Sequence, residues 1–199
     1  MVIKIDGQII SKEQLDQWRS GRIDAVLKML GEQLPDCESV EGRMQALTDL
    51  KLKLGVDEIK ARLEKTLESC DKTMRLLVRL SGKRRRYARA NILLKGISAK
   101  YAADKVNEIN LNAKKDPCYE KANLSACPDH YVLQEVNGSL EVIETTGNSP
   151  SPARFYITYG DDSGLLIPRD TSYPYQSLGV ARLKDGTPIG GVRHQFRDT

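Results

Sequence analysis

The sequence predicts an α+β fold: an N-terminal helical bundle, built on an antiparallel helix hairpin with further helices, followed by a small antiparallel β-sheet or partly closed barrel of three hairpins. Three observations predict it. Apolar residues recur at steps of three and four from Leu15 to Ile109, the period switches to two from Tyr131, and seven of the eleven aromatic residues lie from that residue onward. A chain of 199 residues, 40% of them hydrophobic, can hide most of its apolar surface in a core. Collagen-like and wholly disordered classes are excluded by the same composition.

The first residues read as a hairpin, because Val2, Ile3 and Ile5 lead through Asp6-Gly7, a two-residue turn signal, into Ile9 and Ile10. Ser11 then starts a helix, with Gln14 three residues on completing a capping box, and Pro35 closes it. Leu15, Trp18, Ile23, Val26, Leu27 and Leu30 supply its apolar face. A second helix fits Ser39 to Leu54. Gly55 stops it, and Asp57 caps a third helix whose Ile59, Leu63, Leu67, Cys70, Met74 and Leu77 form a seam against the second. Beyond a break at Ser81-Gly82, helical spacing resumes through Tyr87, Ala90, Leu94, Ile97 and Tyr101 and extends to Val106 and Ile109.

Residues 1–116 thus form a helical region with a short leading hairpin, 117–130 a connecting loop punctuated by Pro117 and Pro128, and 131–199 an antiparallel β region. Asn137-Gly138 turns the first hairpin of that region. A strand over 154–159 passes through Gly160 to Gly164 into a short strand at 165–167, and Asp185-Gly186 turns the last hairpin, between 178–183 and 188–194.

Charge is unevenly placed. The whole chain carries +4, but between Lys72 and Ala103 lie ten basic residues and no acidic one, which leaves −6 for the remainder. On a continuous helix Lys72, Arg75, Arg79, Lys83 and Arg86 form a positive stripe opposite the apolar seam. Packed cations repel one another, and a polyanion relieves that repulsion. The expected activity is therefore non-enzymatic: a binding or assembly protein engaging an anionic partner, foremost nucleic acid, through Arg75, Arg79, Lys83, Arg84, Arg85, Arg86 and Arg89, with Tyr87 available to stack. An acidic protein or a second copy of the chain is the other partner this charge suits. The same alternation of basic and apolar residues between Met74 and Lys95 also suits a membrane surface or a partner helix.

A second hypothesis is a small delivered toxin or effector with ribonuclease-like chemistry on the C-terminal sheet. In it His194 moves protons, Arg193 holds the phosphate and Glu141 is the paired carboxylate. No metal or cofactor is expected. Cys118, Cys127 and His130 give three ligands at a spacing that matches no zinc pattern. Cys37 with Cys70, and Cys118 with Cys127, are the two local disulfide pairings. The Tyr159-Gly160-Asp161-Asp162 run resembles the catalytic aspartate hairpin of RNA-dependent polymerases over four residues, in a chain too short for their fingers, palm and thumb; hairpin-turn chemistry accounts for these residues as well.

No apolar run approaches the roughly 20 residues of a membrane-spanning helix. The opening residues show no basic-then-apolar signal, so a chain cytoplasmic as synthesised is expected, with signal-independent export the remaining route out.

Overall fold

A computed structural model describes residues 2–5, 8–82, 84, 86–111, 117–147, 149–163, 165 and 167–199. The architecture is α+β, with a helical N-terminal part and a C-terminal antiparallel sheet. Strands β1 (Val2–Ile5) and β2 (Gln8–Ile10) pair antiparallel as the sequence predicts. Their Asp6-Gly7 turn lies outside the described residues.

Helix α1 (Lys12–Leu30) begins with the expected capping box. The Ser11 hydroxyl accepts from the Gln14 N–H at 3.2 Å and the Gln14 side chain accepts from the Ser11 N–H at 2.9 Å. Gly31, in the left-handed region at φ 69°, caps the other end. Ile23, Val26, Leu27 and Leu30 point inward, whereas Trp18 stays half exposed. Gly21 does not interrupt the helix.

Helix α2 (Val40–Ser81) corrects the expected helix hairpin. Gly55 sits at φ 74° and ψ 166° and kinks the element, but the chain runs on instead of folding back. Side chains along α2 meet successive parts of the sheet region: Lys51 reaches the carbonyls of Pro128 and His130, Lys60 reaches Glu141, and Arg75 reaches Asp185. One glycine with positive φ bends a helix, whereas reversal needs a loop of about 2–5 residues.

A second correction concerns 84–98. The described residues there are not helical, and β3 (Ala90–Leu93) adds to the far side of β1, giving a three-stranded sheet ordered β2-β1-β3. Gly82, at φ 55° and ψ −121°, takes a conformation that no helical residue adopts, and β1 then offers the hydrogen-bond partners. Helix returns at α3 (Ala99–Leu111).

The expected loop over 117–130 contains α4 (Pro117–Ala126). Pro117 occupies the first helical position, where its missing N–H costs nothing and its fixed φ suits the helix.

Five strands complete the chain: β4 (His130–Val136), β5 (Ser139–Glu144), β6 (Ala153–Tyr159), β7 (Tyr175–Arg182) and β8 (Pro188–Phe196). They pair in chain order as an open antiparallel sheet. The Asn137-Gly138 and Asp185-Gly186 turns stand where expected, with Asn137 at φ 52° and Gly138 at φ 79°. Leu165 and Ile167 are not in a strand, so β6 pairs instead with β7 across a longer connection.

The main core joins both regions, since Ile23, Val26, Leu47, Ile59, Leu63 and Leu67 of α1 and α2 pack with Tyr131, Val132 and Ile143 of the sheet. A second cluster within the sheet, around Val142 and Phe155, receives Cys70 and Met74 from the later turns of α2. No helix among the described residues is long and apolar enough to cross a membrane.

Candidate functional site

The basic segment is divided among three kinds of backbone. Lys72, Arg75 and Arg79 lie on the exposed side of the last turns of α2, while Cys70 and Met74 face the sheet. Arg84, Arg86 and Arg89 follow on irregular chain, Lys95 sits in a bend beyond β3, and Lys100 opens α3. Lys83 and Arg85 lie outside the described residues. The single helical stripe expected from the spacing is therefore not formed, because the helix ends at Gly82.

Pairing also varies along it. Arg75 is held by Asp71 and, at 2.9 Å, by Asp185, so its charge is largely answered within the chain. Lys100 pairs with Asp104 at 2.7 Å. Lys72, Arg79, Arg86, Arg89 and Lys95 form no ion pair among the described residues. The same stretch exposes large apolar groups, including Leu76, Leu77, Leu80, Tyr87, Ile92 and Leu94.

Beside β3 lies a cavity of about 840 Å³, between the 94–98 bend, the start of α3 and the end of β8, with Tyr173 contributing from the preceding connection. Its polar lining includes Asn91, Lys95, Ser98, Gln195 and Arg197. The Arg197 guanidinium lies over the Tyr173 ring at 4.6 Å and donates to the Ser172 hydroxyl at 3.2 Å. Asp198 accepts from the Ala99 N–H at 2.8 Å, which caps α3. Close by, hydrogen bonds from Ser172 hold the Asp170 carboxyl below the usual range, and Arg197 and Arg89 act in the same direction.

The residues of the ribonuclease hypothesis are not brought together. Glu141 lies on β5 and His194 on β8, with β6 and β7 between them, so three inter-strand steps of about 4.8 Å separate their backbones. Glu141 is buried and pairs with Lys60 at 2.6 Å, while Gln134 donates to it at 2.7 Å. Burial raises its carboxyl pKa, but these bonds outweigh burial and hold it below the usual range. His194 is exposed and lies opposite Ser177. Arg193, on the other face of β8, donates to Gln176 at 2.7 Å.

Asp161 accepts from the Ser163 N–H at 2.8 Å and meets Arg182 at 3.3 Å, as a turn residue does. All four cysteines are free thiols. Among the described residues no three His, Cys, Asp or Glu side chains converge as metal ligands.

Sequence reasoning missed a buried polar cluster where α1, α2 and α4 meet the start of the sheet. Arg22 donates from two nitrogens to the two Asp129 oxygens, at 2.8 and 2.6 Å. Lys51, 1% exposed, donates to the Pro128 and His130 carbonyls at 2.7 and 2.6 Å. Burial pulls its ammonium pKa down to about 7. Neighbouring Glu144 is pushed up to about 7, mainly by burial, with Asp129 adding to the effect. One signal was available: Lys51 lies four residues after Leu47 and eight before Ile59, on the buried stripe of α2. Compared with known protein families, with curated proteins and with solved structures, the chain matches none.

Proposed function

We propose that the protein is a non-enzymatic binding protein whose basic segment, 72–103, engages a polyanionic partner, namely nucleic acid. The observation that carries this reading is a contrast in charge. Ten basic residues and no acidic one lie between Lys72 and Ala103, in contrast to the mixed charge of the rest of the chain, and of these Lys72, Arg79, Arg86, Arg89 and Lys95 form no ion pair among the described residues. Exposed cations without an ion pair gain free energy when phosphates replace their small counterions. The end of α2, the segment that links it to β3 and the bend after β3 are continuous in sequence, so one strand of phosphates can follow them.

The test is a salt series against duplex DNA and against single-stranded RNA. Log affinity falls linearly with log salt, with a slope near −0.9 per phosphate contact on duplex and near −0.7 on a single strand. Arg84, Arg85 and Arg86 changed together to Glu remove binding. If the protein binds neither nucleic acid at low salt, or if the triple variant binds as well as the parent, the reading is wrong.

A second reading, an interaction or assembly component, is favoured by a separate observation. Leu76, Leu77 and Leu80 are 54, 58 and 73% exposed, and phosphate binding gives them no role.

A further inference from the structure

We propose that the cavity beside β3 is a base-binding site, so that the nucleic acid taken by the basic segment is single-stranded. This rests on the reading above and narrows it. The described residues of this stretch, Arg84 and 86–89, are not helical, so their arginines do not ride on a helix that could lie in a duplex major groove. Guanidinium groups on such irregular chain suit a flexible phosphate chain instead, with Tyr87, 68% exposed, placed among them to stack.

The cavity supplies what unpaired bases need and a duplex hides. At about 840 Å³ it falls within the range of ligand sites, about 300–1,000 Å³. The Tyr173 ring, already stacked under Arg197, offers a platform and a cation at one place. Asn91, Ser98 and Gln195 bring donors and acceptors for base edges. Gln195 commits its carbonyl oxygen to the Asp170 N–H at 2.9 Å, which leaves its NH2 group to donate.

The carboxylates near the cavity do not oppose a phosphate chain freely. Asp198 is engaged in capping α3, and Asp170 is held by Ser172 and offset by Arg197 and Arg89. Arg89 immediately precedes β3, and Asn91, Ile92 and Leu93 of that strand line the cavity, so the basic arm leads to its rim and one strand reaches from the first into the second.

Fluorescence anisotropy with a labelled 12-nucleotide single-stranded RNA, and with a duplex of the same sequence, tests the proposal on the full chain. The single strand binds at least tenfold more tightly than the duplex at equal salt. Tyr173→Ala weakens single-strand binding about five- to a hundredfold without changing the salt slope, because it removes stacking and no charge. Tyr173→Phe keeps the ring and keeps the affinity, and Asn91→Ala, on an exposed strand, weakens binding independently of Tyr173. Equal or tighter duplex binding with a normal salt slope overturns this inference and leaves the polyanion reading standing. Wild-type affinity in both Tyr173→Ala and Asn91→Ala also overturns it. Failure of both nucleic acids to bind at low salt overturns both.

Discussion

Lys51 is the residue whose chemistry departs furthest from expectation. A neutral amine keeps two N–H bonds, and the Pro128 and His130 carbonyls accept two, so the uncharged form satisfies this site without an ion. The His130 ring is fixed in a complementary way. Its Nδ1–H donates to the Asn123 carbonyl at 2.7 Å, so Nε2 presents a lone pair to Glu144 at 3.4 Å, where a protonated carboxyl is the better neighbour. These shifts make stability depend on pH. Lys51 has a folded pKa of about 7 against an ordinary 10.5, so above pH 7 the unfolded chain binds more protons and stability rises with pH. Over pH 7 to 9 the gain is about 2–3 kcal/mol at 1.36 kcal/mol per unit. Glu144 acts oppositely and earlier: its raised pKa makes stability fall as pH rises from about 4.5 to about 7. Depressed mainly by burial, His130 opposes that acid limb, since its contribution is lost as pH falls below 6.5. Urea unfolding at pH 7, 8 and 9 should show the rise in the parent and its loss in Lys51→Met. Parallel pH profiles for the two proteins would remove Lys51 as the cause.

Among the elements, those with local signals were legible in the sequence. The capping box of α1 and the Asn137-Gly138 and Asp185-Gly186 turns each rest on interactions within a few residues, and each forms as read. The seam from Ile59 to Leu77, by contrast, is buried at Ile59, Leu63 and Leu67 but packs on the sheet at Cys70 and Met74 and leaves Leu77 exposed. The helical spacing of Tyr87, Ala90, Leu94 and Ile97 predicts a helix, yet residues 90–93 bond to β1, more than 80 positions away. Missing α4 has a different origin. In sequence Pro117 reads as loop punctuation, but proline also suits the first position of a helix, and here it starts one. Strand packing yields a testable consequence at Gly179 on β7. A Cβ there would lie 2.7 Å from the Ile157 methyl and 2.9 Å from the Thr158 carbonyl oxygen, so neighbouring strands leave no room for one. Gly179→Ala should cost about 1–3 kcal/mol in denaturant unfolding. A variant as stable as the parent would show that β6 and β7 lie farther apart than described.

At the scale of the whole molecule, helices and sheet share one core, so loosening the cluster around Lys51, Arg22 and Asp129 weakens the joint between them. Apolar surface left outside that core is concentrated at the end of α2 and around β3. The three leucines there are 54–73% exposed, so covering them releases about 1–2 kcal/mol each, which anchors a second chain only as part of a larger interface. Light scattering at two salt concentrations separates the two readings of this surface. An assembly held by Leu76, Leu77 and Leu80 persists in high salt and is lost in Leu77→Asp/Leu80→Asp. A monomer at both salts removes self-assembly and leaves the polyanion reading alone on this surface.

By itself the sequence determined the class of fold, the order of helical and strand regions, the tight turns and the location of the charge, because caps, turns and periodicity are decided by neighbours in the chain. Only the tertiary structure decided that the cations leave the helix at Gly82, that β3 joins β1, that His194 and Glu141 stand three strands apart, and that Lys51 is buried against Pro128 and His130. Each of those depends on groups tens of residues apart, whose meeting is set by which surfaces pack together and not by any local spacing.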